Sequence, residues 1–149
     1  MSLQSKVMEK LKEAMKAKDT VALESLRAIK SAILLAKTDK GAKDELTETE
    51  ELTLLQRLVK QRKESAAVYK NKGRDDLAEP ELQQVAIIEQ FLPEQLSEED
   101  VKAEVVKIIE QTGANSMKDM GKVMGIASKK LTGKTDGKTI SSIVKTLLN

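Results

Sequence analysis

Apolar residues recur three and four positions apart along nearly the whole chain, the spacing that lines one face of an α-helix. Over residues 2–18, Leu3, Val7, Leu11, Ala14, Met15 and Ala17 fall near one face, with lysines opposite. Asp19-Thr20 interrupts that helix and can cap the next, which carries Val21, Leu23, Leu26, Ile29, Ile33 and Leu34 to about Thr38. Residues 39–45, with Gly41 and alternating charge, read as a loop. Thr47-Glu48-Thr49-Glu50 is a capping box, in which the Thr47 hydroxyl accepts from the amide three residues on and Glu50 reaches back. The long helix behind it runs to about Asn71 on Leu52, Leu55, Leu58, Val59, Ala66 and Tyr69, and Gly73 ends it.

Pro80 lies inside the next periodic stretch, residues 75–91. The pattern therefore predicts a short turn over 75–79 and a helix beginning with Pro80 at its first position, where a missing N–H is tolerated. Leu92-Pro93 stops that helix, because a residue before proline is driven out of helical backbone angles. Residues 93–96 read as a linker between a bundle at 1–92 and a smaller module at 97–149. In the module, Ser97 caps a helix whose first turn holds Glu98, Glu99 and Asp100, where acids complement the helix dipole, and Gly113 closes it. Ser116 is expected to cap a second helix ending near Gly133, and Asp136 a third carrying Ile140, Ile143, Val144, Leu147 and Leu148. No period-2 stretch of useful length occurs. The fold class is all-α, an N-terminal bundle of four or five helices followed by a three-helix module.

The absent residue types narrow the chemistry. The chain has no His and no Cys, which excludes the common zinc sites, disulfides, and Ser-His-Asp or Cys-His catalysis. Tyr69 and Phe91 are its only aromatics, so stacking platforms for single-stranded nucleic acid are lacking. No apolar run approaches the roughly 20 residues of a membrane span, and the N-terminus lacks the apolar stretch of a signal peptide. A cytoplasmic, bacterial-type setting is expected, with no metal, no cofactor and no membrane partner. The acids at 48, 50, 51 and 98–100 are explained by helix starts, and no catalytic residue is assigned.

Charge is unevenly spread. From residue 113 onward seven lysines face two acids, whereas residues 1–112 hold nineteen basic and twenty-two acidic side chains. The whole-chain balance of +2 hides this split. A one-sided excess of lysine points to a polyanionic partner.

The segments Leu-Pro-Glu-Gln-Leu-Ser-Glu-Glu (92–99) and Met-Gly-Lys-Val-Met-Gly (120–125) resemble the YqeY family. Leu26-Arg27, Lys60-Gln61-Arg62-Lys63-Glu64-Ser65 and Gly73-Arg74 extend the resemblance over essentially the full chain. The C-terminal half is also similar to the tail module of GatB, the subunit of the glutamine-dependent aminoacyl-tRNA amidotransferase that carries the kinase and transamidation site. Gly121, Lys122, Val123 and Met124 correspond to that tail's Gly-any-Val-Met core, and Gly133-Lys134 with Asp136-Gly137 to its inter-helix turn. The resemblance implies a helical bundle with a three-helix tail. It also implies an association with tRNA or a protein of the tRNA-charging machinery, since the GatB tail contacts the outer body of tRNA. The family label carries an alternative, a carbon–nitrogen ligase with glutamine as amido donor, although nothing in the chain looks like the GatB catalytic core. A third reading is a protein-interaction module whose groove between helices receives a partner helix.

On the tRNA reading, Lys118, Lys122, Lys129, Lys130, Lys134 and Lys138 contact phosphates by charge and shape, without reading bases. A solvated surface would account for the same lysines. Gly121 and Gly125 stand four apart in a helix, where each costs about 1 kcal/mol relative to Ala. They are expected to meet another tail helix at close range, with an RNA backbone as the other occupant, while Gly133 shapes the turn. The Gly-Lys-Thr at 133–135 lacks the strand and earlier glycine of a phosphate-binding loop, position 128 being Ser. Arg62, on the apolar side of its helix, is expected to pair with a glutamate of the following helix such as Glu89, and Arg27 to be held in the same way. Met117, Met120 and Met124 are expected in the core.

Overall fold

A computed structural model describes residues 2–39, 41 and 44–149; positions 40, 42 and 43 of the expected 39–45 loop lie outside the described residues. Among the described residues the chain is all-α, as its periodicity predicts, with seven α-helices and one 3-10 turn. These form two compact units, residues 1–92 and 93–149.

The first unit comprises α1 (Leu3–Ala17), α2 (Thr20–Asp39), α3 (Glu48–Asn71) and α4 (Asp75–Glu89). Its core joins Val7 and Leu11 of α1, Leu26, Ile29 and Ile33 of α2, Leu55 and Val59 of α3, and Val85 and Ile88 of α4. Side chains start the helices: Asp19 accepts from the Ala22 amide at 3.1 Å, and Thr47 from the Glu50 amide at 3.1 Å. Glu51, one position past the capping box, accepts the Leu3 amide at 2.8 Å and so satisfies an orphan donor at the start of α1. Gly73, at φ +69, closes α3 in a Schellman motif: Arg74 N–H donates to Tyr69 O at 2.8 Å and Gly73 N–H to Lys70 O at 3.0 Å.

Several expectations are corrected here. α4 is continuous from Asp75 through Pro80, with no break at the proline. The turn ahead of Pro80 is held because Ala78 is fully buried and Arg74 forks onto both Asp76 oxygens at 3.0 Å, which outweighs one missing N–H. Arg62 is half-buried, but its Nε donates to Gln84 at 2.9 Å, and Gln84 donates on to Glu24 at 3.2 Å. Glu89 takes Lys63 instead, at 3.3 Å, because Lys63 lies on the other flank of α3. Arg27 is exposed. Met15, Ala17 and Leu34, expected in the core stripes of α1 and α2, are exposed as well, while Leu54, outside the stripe expected for α3, is buried.

The second unit comprises α5 (Glu98–Thr112), a 3-10 turn (Met117–Asp119), α6 (Met120–Lys130) and α7 (Gly137–Leu148). Val101, Val105 and Ile108 meet Val123 and Ala127 and then Ile140, Val144 and Leu148 in its core. Ser97 caps α5 through the Asp100 amide at 3.1 Å, and Asp136 caps α7 through Thr139 at 2.8 Å. Ser116 makes no side-chain cap. Asp119 accepts from the Asn115 amide at 3.1 Å, so a 3-10 turn precedes α6. Met120 and Met124 pack on the core, but Met117 is exposed. The residues read as a linker are bonded into this unit: Leu96 N–H donates to Lys134 O at 2.9 Å, and Gln95 Nε2 to Gly133 O at 2.7 Å.

Candidate nucleic-acid interface

α6 is amphipathic over three turns. Val123 and Ala127 are fully buried, with Leu131 just beyond the helix end; Met120 and Met124 are half-buried beside them, and the face opposite is left to solvent. Lys122 and Lys129, seven residues apart, share the solvent side, and Lys118 joins them from the 3-10 turn; all three are exposed. The C-terminus of α6 is closed by Thr132, whose hydroxyl donates to the Ser128 and Lys129 carbonyls at 2.7 and 3.0 Å.

The two glycines of α6 overturn their expected role. A methyl group added at Gly121 or Gly125 would meet no atom within 4 Å, so no neighbouring helix approaches there. The core helices reach α6 through Val123 and Ala127, on the other face. Gly121 and Gly125 therefore leave a strip of bare, solvent-facing backbone beside the lysine row.

Gly133 sits at φ +77, in the left-handed region that favours glycine, and is buried beneath the turn. Its carbonyl and that of Lys134 are occupied by Gln95 and Leu96, which fixes the turn while the Lys134 side chain stays exposed. Lys138 is exposed in the first turn of α7. Lys102 of α5 stands near it, and the two line a cleft of about 410 Å³ whose walls also hold Glu98, the hydroxyls of Thr139, Ser142 and Thr146, and the apolar Ile143 and Leu147. Lys102 is not singled out by the sequence because it stands two residues past the acids 98–100, which offset its charge locally.

Lys130 is set apart from the other five. Its ammonium lies 3.0 Å from Glu104 of α5, and Lys107 approaches the same carboxylate at 3.6 Å. The hydrogen bond from Lys130 and the field of Lys107 hold the Glu104 carboxyl below the usual carboxylate range. Lys130 thus clamps α6 to α5. Residues 93–149 in full carry nine lysines and eight acids, so the positive charge is a face of α6 and its turn and not a property of the whole unit.

The other displaced titration is at Arg74 and Asp76. Their mutual hydrogen bond lowers the Asp76 carboxyl and raises the guanidinium. This pair is exposed at the start of α4 and is explained by that helix start. Among the described residues no helix is long and apolar enough to cross a membrane.

Comparison with known proteins places the chain in a family. The chain is 35% identical over 117 residues to altered inheritance of mitochondria protein 41, mitochondrial, of Clavispora lusitaniae, covering 76% of this chain and 66% of that protein. The protein of the same name from Kluyveromyces lactis is 33% identical over 138 residues, 91% of this chain and 70% of its own length. An uncharacterized Schizosaccharomyces pombe protein is 32% identical over 96 residues, 64% of this chain and 76% of its own. These relatives are fungal. The family described as Yqey-like protein matches residues 4–148, both units included, and the chain belongs to it.

Proposed function

We propose that the protein is a tRNA-associated accessory that binds tRNA, or a complex that processes it, by charge and shape through its C-terminal unit. The observation that carries this reading is the open face of α6, where a row of exposed lysines runs beside backbone that two glycines leave uncovered. A sugar–phosphate backbone can approach such a strip closely and still meet the row of ammonium groups beside it. Lys134, on the turn, and Lys138, in the first turn of α7, are exposed as well. The likeness to the GatB tail supports the same partner. The setting we propose is a compartment that holds tRNA: the cytoplasm or, on the likeness to the mitochondrially named relatives, the mitochondrion.

The deciding experiment is tRNA binding by the full chain across a salt series, beside a Lys122→Glu/Lys134→Glu double variant. Salt-sensitive binding that the variant loses is the expected result. Binding indifferent to salt, or equal in the variant, sinks the reading.

A further inference from the structure

The cleft between α5 and α7, about 410 Å³ in volume, has features that RNA binding does not use. Ile143 and Leu147 pack on the core with part of their surface and, being half-buried, turn the rest to the cleft. Lys102 of α5 and Lys138 of α7 line it from two different helices, and both are exposed. Neither ammonium forms an ion pair among the described residues. Thr146 turns its hydroxyl back onto the Ser142 carbonyl at 2.9 Å, whereas the Thr139 and Ser142 hydroxyls have no protein partner among the described residues.

A lone surface lysine is ordinary. This pair differs in its surroundings. Glu98, one turn before Lys102, is the acid among the lining residues. It offsets one ammonium and leaves the cleft with a single positive charge. The polar and apolar parts are also separated along α7. Lys138 and Thr139 stand in its first turn, and Leu147 in its last, nine residues past Lys138 and about 13 Å away at 1.5 Å per residue. Free donors gather at one end, and aliphatic surface runs toward the other.

We infer that this cleft binds a small amphipathic monoanion, a carboxylate on a short aliphatic chain. The carboxylate meets Lys102 and Lys138 and accepts from the Thr139 and Ser142 hydroxyls, and the chain lies along α7 over Ile143 and Leu147. A cleft of this volume is in the range of small-molecule sites and holds roughly a dozen non-hydrogen atoms, at about 30 Å³ for each. A singly charged head group matches the single net charge of the lining. A polyphosphate would set surplus negative charge beside Glu98. The sugar–phosphate backbone of RNA is a poor occupant too, since it offers nothing to Ile143 and Leu147.

The test is titration of the isotopically labelled full chain with octanoate. Amide shifts confined to α7 and the first two turns of α5 are expected, with roughly millimolar affinity, as befits a ligand of about ten non-hydrogen atoms. Lys102→Gln/Lys138→Gln is expected to weaken binding at least about tenfold, since two charge-assisted contacts are lost. Both side chains are exposed, and an unchanged circular dichroism spectrum confirms the fold. Acetate, which lacks the chain, and octylammonium, which reverses the charge, are each expected to bind at least about tenfold more weakly. Shifts spread over other helices, unchanged affinity in the double variant, or equal binding of acetate, inorganic phosphate or octylammonium overturns the inference. So does a spectrum indifferent to octanoate at about ten times the expected dissociation constant. If tRNA binding is then lost in the same double variant, the cleft belongs to RNA instead. The Lys122→Glu/Lys134→Glu variant lies outside the lining and is expected to bind octanoate normally, which separates failure here from failure of the tRNA reading.

Discussion

Lys18 holds φ +55, the one non-glycine residue in the left-handed region among those described, and closes α1 as a glycine ordinarily would. Asp19 N–H reaches Ala14 O at 3.0 Å around it, so the conformation is imposed by the helix end and not by the lysine. A side chain in this region costs roughly 1–2 kcal/mol, partly offset by the greater freedom of glycine when unfolded. Lys18→Gly is therefore expected to stabilise the first unit by about 1 kcal/mol, a rise of about 4–8 °C in its melting temperature. At Gly125 the physics runs differently. The backbone is ordinary helix and the space beyond it is empty, so Gly125→Ala is expected to add about 1 kcal/mol of stability through helix propensity alone. If the bare strip serves a close backbone contact, the same substitution weakens tRNA binding while it raises the melting temperature. Opposite signs in the two measurements separate a functional glycine from an accidental one. A gain in both would return Gly125 to plain surface.

The helices and most of their starts were legible in the sequence because a cap is a local bond. Ser97, Thr47 and Asp136 each accept an amide three residues ahead, and nothing distant decides that. Expectations that failed turned on distant neighbours. Pro80 stays helical because Ala78 is buried, and Arg62 finds Gln84 instead of Glu89 because α4 presents several partners within reach of one long side chain. The lysines of the candidate site could be counted in the sequence, but not sorted: only the approach of α5 shows that Lys130 is bound to Glu104. That clamp has a pH signature. The Glu104 carboxyl is lowered on folding, so its contribution is present above its ordinary value of 4.5 and is lost as pH falls through the folded value. Glu104→Gln is expected to lower the stability of the second unit near neutrality and to flatten its loss below about pH 4.5. Amide exchange followed in α5 and α6 reads this separately from Asp76, whose lowered carboxyl acts on the first unit with the same sign.

At the scale of the whole molecule the near-balance of charge sharpens the functional test. Residues 1–92 hold seventeen basic and sixteen acidic side chains, and residues 93–149 nine and eight, so neither unit attracts a polyanion by its net charge. Any strong salt dependence must then come from a face. Lys118, Lys122, Lys129, Lys134 and Lys138 lie outside the Glu104 clamp. If all five neutralise phosphates on a duplex, the log–log slope of affinity against salt is about −4.5, at about −0.9 for each contact. Removing Lys122 or Lys129 as alanine is expected to reduce the slope by about one unit. Lys130→Ala is expected to leave the slope unchanged and to act on the stability of the α5–α6 contact instead. Equal slopes for wild type, Lys122→Ala and Lys130→Ala would mean that the α6 face is not the contact. A loss of slope at Lys130 would mean that Glu104 releases its partner when RNA binds, and the Glu104→Gln variant would then bind more tightly than the wild type.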